Sequence, residues 1–234
     1  RTLPSTMQRD VDGLVRWTES NYMQLNPVKC KVMVICFMRN PPPPPQLYVG
    51  PSELELVQFA RVLGVILQAD LKWSTHVNSI VSKANRRLYL VRVLKKHGLV
   101  NYDLTLVFCG FVRPLLEYAC PVWHPGLTTL QSNHIEAVQK RACRMILGKN
   151  YVSYDRALEQ LSLTPLYLRR RNLCMKFALS ISKSPTFSSW LPPKRGSVHG
   201  RDLRSKNKFT PFSCRTSRFK NTTLPFTVGL LNEL

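Results

Sequence analysis

Residues 74–98 read Ser74-Thr-His-Val-Asn-Ser-Ile-Val-Ser-Lys-Ala-Asn-Arg-Arg-Leu-Tyr-Leu-Val-Arg-Val-Leu-Lys-Lys-His-Gly98. Val77, Ile80, Val81, Ala84, Leu88 and Val91 recur at three- and four-residue intervals, so this stretch is an amphipathic helix. Ser74 supplies an N-cap and Gly98 a stop. Lys83, Arg86, Arg87, Lys95 and Lys96 fall largely off the apolar stripe. The stretch also marks a change of period. Before it the apolar pattern is short and strand-like, and after it the pattern is helical.

Downstream, Asp103 to Tyr118 reads as a largely apolar helix kinked by Pro114. Thr128 to Leu147 is a third helix, with Ile135, Val138, Ala142, Met145 and Ile146 inward and Gly148 as its stop. Ser153 to Leu161 is a short fourth, and Thr164-Pro165 opens a fifth that runs to about Ser182 and carries Arg169, Arg170 and Arg171. Upstream, residues 7–25 read as a helix with Met7, Val11, Leu14, Val15 and Tyr22 on one stripe, ended by Asn26-Pro27. Residues 31–37 read as a buried strand. Residues 46–49 and 53–57 read as a hairpin around Gly50-Pro51, and 61–67 as a further strand, with Gly64 marking a bulge or a close backbone approach. Pro41 to Pro45 form a stiff run without backbone donors. We read it as a rigid connector in preference to a ligand for a polyproline-binding domain. Beyond Ser182 the periodicity fades into Ser, Thr, Pro, Lys and Arg, and 183–234 reads as an irregular basic tail. The expected fold class is α+β: a small antiparallel sheet or hairpin over 1–72, a helical bundle over 73–182, and the tail.

The chain has 234 residues, 34 Lys plus Arg against 13 Asp plus Glu, and a net charge of +21. At 44% hydrophobic it can bury a core, so it is no disordered basic tail. The apolar runs are too short for a transmembrane helix, and no membrane partner is expected. Residues 41–80 carry two basic and three acidic side chains, while 161–200 carry seven basic and none acidic. A one-sided positive field selects a polyanion, with nucleic acid the leading candidate.

Seven scattered cysteines (Cys30, Cys36, Cys109, Cys120, Cys143, Cys174, Cys214) predict free thiols in a reducing compartment, nucleus or cytoplasm. Cys120 and His124 form a C-x3-H pair, but the spacing onward to His134 and Cys143 is irregular for zinc, and no metal site is expected. No phosphate-binding glycine loop and no nucleophile elbow occurs, and the aspartates do not cluster as two-metal chemistry requires. The chain starts at Arg1 and reads as a fragment.

Four segments, in order, carry a family resemblance. They are Asp12 to Trp17 with the N-x-x-K-C-K stretch Asn26 to Lys31; Leu63-Gly64-Val65 with Leu71-Lys72-Trp73 and His76; Val112 to Ala119 with Val122-Trp-His-Pro125; and Glu136 to Arg141 with Leu161, Leu163 and Leu166 before Arg169-Arg170. In this order the chain resembles the later part of the reverse transcriptases of non-LTR (LINE-type, jockey-like) retrotransposons. The resemblance implies the end of a palm and a primer-grip hairpin in 1–72, and a thumb in 73–182. It places the metal-binding aspartates, and the Mg2+ they hold in the full-length enzyme, upstream in a missing palm and fingers portion. Lys29 then matches the general acid for the leaving pyrophosphate, or is a solvated loop lysine. Leu63 and Gly64 match the primer-grip turn. Lys83, Arg86, Arg87, Lys95, Lys96, Lys140, Arg141, Arg144, Arg169, Arg170 and Arg171 become candidates for contacting an RNA–DNA duplex. The expected function is a template–primer-binding part of an RNA-directed DNA polymerase, inactive on its own. The alternatives are a nucleic-acid-binding module domesticated from a retrotransposon, or an unselected relic.

Overall fold

The computed structural model describes residues 4–199 and 205–234. The chain divides into two compact units, residues 1–76 and 77–234, with the boundary inside one long helix.

The first unit opens with α1 (Pro4–Ser20), whose proline sits in the first turn where its missing N–H costs nothing. The helix stops at Ser20, five residues short of the expected end at residue 25. The chain reverses at Tyr22, a left-handed residue, and Met23 donates its N–H to the Thr18 carbonyl at 2.8 Å. Met7, Leu14 and Tyr22 on the expected apolar stripe are exposed. Six short strands follow: β1 (Lys31–Val32), β2 (Tyr48–Val49), β3 (Ser52–Glu53), β4 (Glu55–Leu56), β5 (Phe59–Val62) and β6 (Val65–Gln68). They form three separate two-stranded pairs.

The antiparallel expectation holds for two of the three. β2 and β3 pair around Gly50-Pro51, with Tyr48 opposite Glu53. β5 and β6 pair with Val62 opposite Val65. β1 instead runs parallel to β4, Lys31 opposite Glu55. A parallel pair needs a long connection, and the proline run plus the β2–β3 hairpin supplies it. The strand expected over 31–37 shrinks to the two residues Lys31–Val32.

The single strand expected over 61–67 is two strands. Leu63 (φ 47°) and Gly64 (φ 89°) form a two-residue turn with both central residues left-handed, the geometry that matches strand twist. Leu63 is therefore 87% exposed at a tip and lies outside the core. The Gln68 carboxamide oxygen accepts from the Thr75 N–H at 2.9 Å and from the Ser74 hydroxyl at 3.2 Å. The hairpin thus satisfies the start of the next helix, α2 (Ser74–Lys96).

In the second unit α2 buries Val77, Ile80, Ala84, Leu88 and Val91. At its end Gly98 N–H bonds the Lys95 carbonyl and Leu99 N–H the Leu94 carbonyl, a Schellman closure that needs the left-handed Gly98. The expected 103–118 helix is broken into α3 (Asn101–Val107), a widened turn over Phe108–Val112, and α4 (Arg113–Glu117). Arg113 N–H reaches back five residues to Phe108, which opens the ring that Pro114 would otherwise clash with. Leu104, Phe108, Val112 and Leu116 recur every four residues and are fully buried. On a 3.6-residue helix that spacing drifts, and the widened turn takes up the drift. Ala119, left-handed, joins α4 to α5 (Cys120–Trp123), whose Cys120 and Trp123 complete the buried rib. Each large side chain in it contributes about 1.5–3 kcal/mol.

α6 (Thr129–Leu147) starts with a reciprocal capping box between Thr128 and Gln131. α7 (Tyr154–Gln160) is capped by Ser153. α8 (Leu166–Lys183) follows Pro165, which offers no side-chain cap. Its cap comes from α6: the buried Glu136 carboxylate accepts from the Leu166 N–H at 2.9 Å and the Tyr167 N–H at 3.1 Å, and also from the Tyr154 hydroxyl. Buried Gln139 donates to Tyr154 Oη and to the Thr164 carbonyl, both at 3.0 Å.

The 183–234 segment, expected to be irregular, contains α9 (Arg195–His199), α10 (Ser217–Lys220) and α11 (Thr223–Asn232). α11 packs against α8 and α5 and buries Thr227, Val228 and Leu230. Its sequence is apolar nearly all round, a pattern that requires burial and is diluted in the polar composition of the whole segment. Asn232 fixes it by exchanging hydrogen bonds of 2.8 and 3.0 Å with the Phe209 backbone. Among the described residues, no single helix is long and apolar enough to cross a membrane.

Two outcomes follow from these contacts. Glu136→Ala is expected to lower the unfolding free energy by about 3 kcal/mol, since it removes charge-assisted bonds to buried N–H groups; guanidinium denaturation measures it, and a change below ~1 kcal/mol contradicts the capping role. Leu63→Asn is expected to stabilise the hairpin by roughly 0.5–1 kcal/mol, because asparagine tolerates the left-handed turn position better than leucine. An unchanged or lower melting temperature would count against the assigned turn.

Candidate nucleic-acid interface

α2 carries six cations and no carboxylate. α6 carries Lys140, Arg141 and Arg144, and its single acid, Glu136, is buried. Arg141 Nη1 donates to Asn85 Oδ1 at 2.9 Å, which joins the outer faces of the two helices. Arg86, Lys140, Arg141 and Arg144 are exposed, and Lys83 is half-buried. Lys140 and Arg144 lie over the Tyr154 and Tyr151 rings at 5.1 and 5.3 Å, which steadies both cations at the surface. The result is a basic face spanning two helices with no acid on either exposed side.

The other expected cations divide by what holds them. Arg87 bonds the Phe111 carbonyl at 2.7 Å and covers the Phe111 ring at 4.4 Å. Lys95 bonds Asn101 at 2.8 Å, and Lys96 is exposed at the end of α2. The three consecutive arginines of α8 face three ways. Arg169 makes a two-point ion pair with Glu117 at 2.5 and 3.1 Å, tying α8 to α4, and the carboxylate raises its already high pKa. Arg171 pairs with Glu233 at the end of α11. Arg170 is fully buried. It reaches Ser132 at 3.0 Å and His124 Nδ1 at 3.4 Å and lies 6.0 Å from the Trp123 ring centre. Burial lowers its pKa, and burial together with the Arg170 charge pushes His124 down to about 4. All three guanidinium groups are engaged inside the unit.

The Cys120–His124 pair is likewise engaged. Cys120 donates to the Arg170 carbonyl at 3.8 Å, and His124 stacks edge-on against Phe226 of α11. Cys120, Cys143 and Cys174 are buried, and burial pushes the Cys143 thiol up to about 11. Among the described residues no three His, Cys, Asp or Glu side chains are placed to hold a metal ion. The donor set that Mg2+ needs in a polymerase is not assembled by these residues.

In the first unit Lys29 is exposed at the end of a short turn whose start is capped by Asn26. Leu63 and Gly64 are exposed at the β5–β6 tip. Trp73 is half-buried, edge-on to the buried His76, and Trp123 is fully buried and donates to the Tyr118 carbonyl at 3.0 Å. Sequence reasoning missed Glu117, Glu136 and Gln139 as the polar groups that set this geometry. The available signal was an acid on an apolar helix face, as at Glu136.

No family model matches the chain, and no solved structure matches it. Among known proteins the chain is similar to a probable RNA-directed DNA polymerase from the transposon X-element of Drosophila melanogaster, 27% identical over 118 residues. The match takes in 49% of this chain and 13% of that protein, so the chain spans a small part of its relative's length. The chain thus has a distant similarity to a retrotransposon RNA-directed DNA polymerase.

Proposed function

We propose that this chain is a template–primer-binding part of a retrotransposon RNA-directed DNA polymerase, with 73–182 acting as its thumb. The observation that carries the reading is the acid-free basic face of α2 and α6, centred on Lys83, Arg86, Lys140, Arg141 and Arg144. Cations on the outer faces of two joined helices suit phosphate contacts along a duplex, which position it without reading its sequence. The similarity to a transposon polymerase makes an RNA–DNA duplex the preferred polyanion.

In the same reading the exposed Leu63-Gly64 tip approaches the primer end, where glycine allows close backbone contact. Lys29 serves as the proton donor to pyrophosphate only when the rest of the polymerase supplies Mg2+ and its carboxylates. The chain by itself binds and does not polymerise.

The test is a salt titration of binding to a short RNA–DNA duplex, followed by fluorescence anisotropy. The Lys83→Ala, Arg86→Ala, Arg144→Ala triple variant is expected to weaken binding roughly tenfold or more at moderate salt. It should also reduce the slope of log affinity against log salt by about 0.7–0.9 for each phosphate that the protein no longer neutralises. Primer extension with added Mg2+ should give no product. Wild-type affinity in the triple variant, or extension by the chain alone, would contradict the proposal.

A further inference from the structure

Between α8 and α9 the chain makes a tight turn that shows two aromatic rings to solvent. Phe187 and Trp190 are 43% and 53% exposed, their ring centres 4.8 Å apart. The turn is well held. Ser188 N–H bonds the Ser184 carbonyl at 2.9 Å, Phe187 N–H the Ser184 hydroxyl at 3.3 Å, and Trp190 N–H the Phe187 carbonyl at 3.0 Å. Pro185 on one side and Pro192-Pro193 on the other stiffen its ends. The rings are therefore presented by a fixed backbone.

The chain on either side of the turn carries only one sign of charge. No acidic residue occurs from 160 to 201. Lys183 at the end of α8 and Lys194 after the turn are exposed. Lys194 pairs with Phe209, and the Lys208 backbone sits in the same crossing, where Arg195 N–H bonds the Lys208 carbonyl at 2.9 Å. A half-exposed aromatic pair costs free energy in water. In a stretch of chain with cations and no acid, the ligand that satisfies both features has flat apolar faces and a negative backbone.

We propose that the Phe187–Trp190 turn is a stacking platform for unpaired nucleotides of a single-stranded nucleic acid, with Lys183 and Lys194 on its phosphates. This rests on the reading of the chain as a nucleic-acid binder and adds a second site to it. The α2–α6 face suits a duplex, whose bases are already stacked on one another. The turn suits single strand, whose bases have free faces.

The full chain is titrated with a fluorescein-labelled oligouridine and, separately, with a blunt RNA–DNA duplex. Trp190→Ala is expected to weaken oligouridine binding about tenfold, in the range for one stacked base, and to leave duplex binding within twofold. Trp190→Phe should retain most of the affinity. The exposed position keeps the melting temperature near wild type, and Phe187→Ala gives an independent check. Equal oligouridine affinity in wild type and both alanine variants overturns the site, as does a parallel weakening of oligouridine and duplex binding. Oligouridine binding that depends on Trp190, with no duplex binding, would support the site while sinking the α2–α6 reading.

Discussion

The carboxylate of Glu136 at the amino end of α8 is the contact on which the second unit turns. α8 begins after a proline and has no cap of its own. Without a partner, its first N–H groups would be buried unsatisfied, at about 1–3 kcal/mol each. Glu136 meets two of them from a neighbouring helix and takes the Tyr154 hydroxyl as well. One side chain thus sets α6, α7 and α8 together. Burial and this carboxylate push the Tyr154 phenol up, so it stays a donor. Using the one acid of α6 inside the unit has an outward consequence: the exposed side of that helix is left with cations alone.

The same logic governs α8. A run of three arginines looks like a polyanion site when charge is counted along the chain. On a helix, consecutive residues point about 100° apart, so the three guanidinium groups go to Glu117, into the core and to Glu233. Basic runs and basic faces are different things. The face that remains comes from cations three and four apart on two helices joined by Arg141 and Asn85. That distinction sharpens the meaning of a net charge of +21, because part of it holds the fold together.

Much of the helical part was legible in the sequence because its determinants are local. Val77 to Val91 set a period, Thr128 and Gln131 form a cap, and Gly98 and Gly148 mark stops. The strands were less legible. Two-residue strands carry almost no period, and the β1–β4 pairing joins residues more than twenty apart. Leu63-Gly64 also lacks the Asn-Gly signature that announces such a turn. The trans-cap by Glu136, the Glu117–Arg169 pair and the docking of α11 all join elements far apart in sequence. They are fixed by packing and have no local signature. The cations of the candidate face could be named from the sequence, but separating Arg86 and Arg144 from Arg169 to Arg171 required the fold.

Hydrogen–deuterium exchange of the chain with and without an RNA–DNA duplex addresses the central claim most directly. New protection is predicted in α2 around Lys83–Arg87 and in α6 around Lys140–Arg144, with the 169–171 segment of α8 unchanged. Protection centred on 169–171, or none on α2 and α6 at saturating duplex, would contradict it.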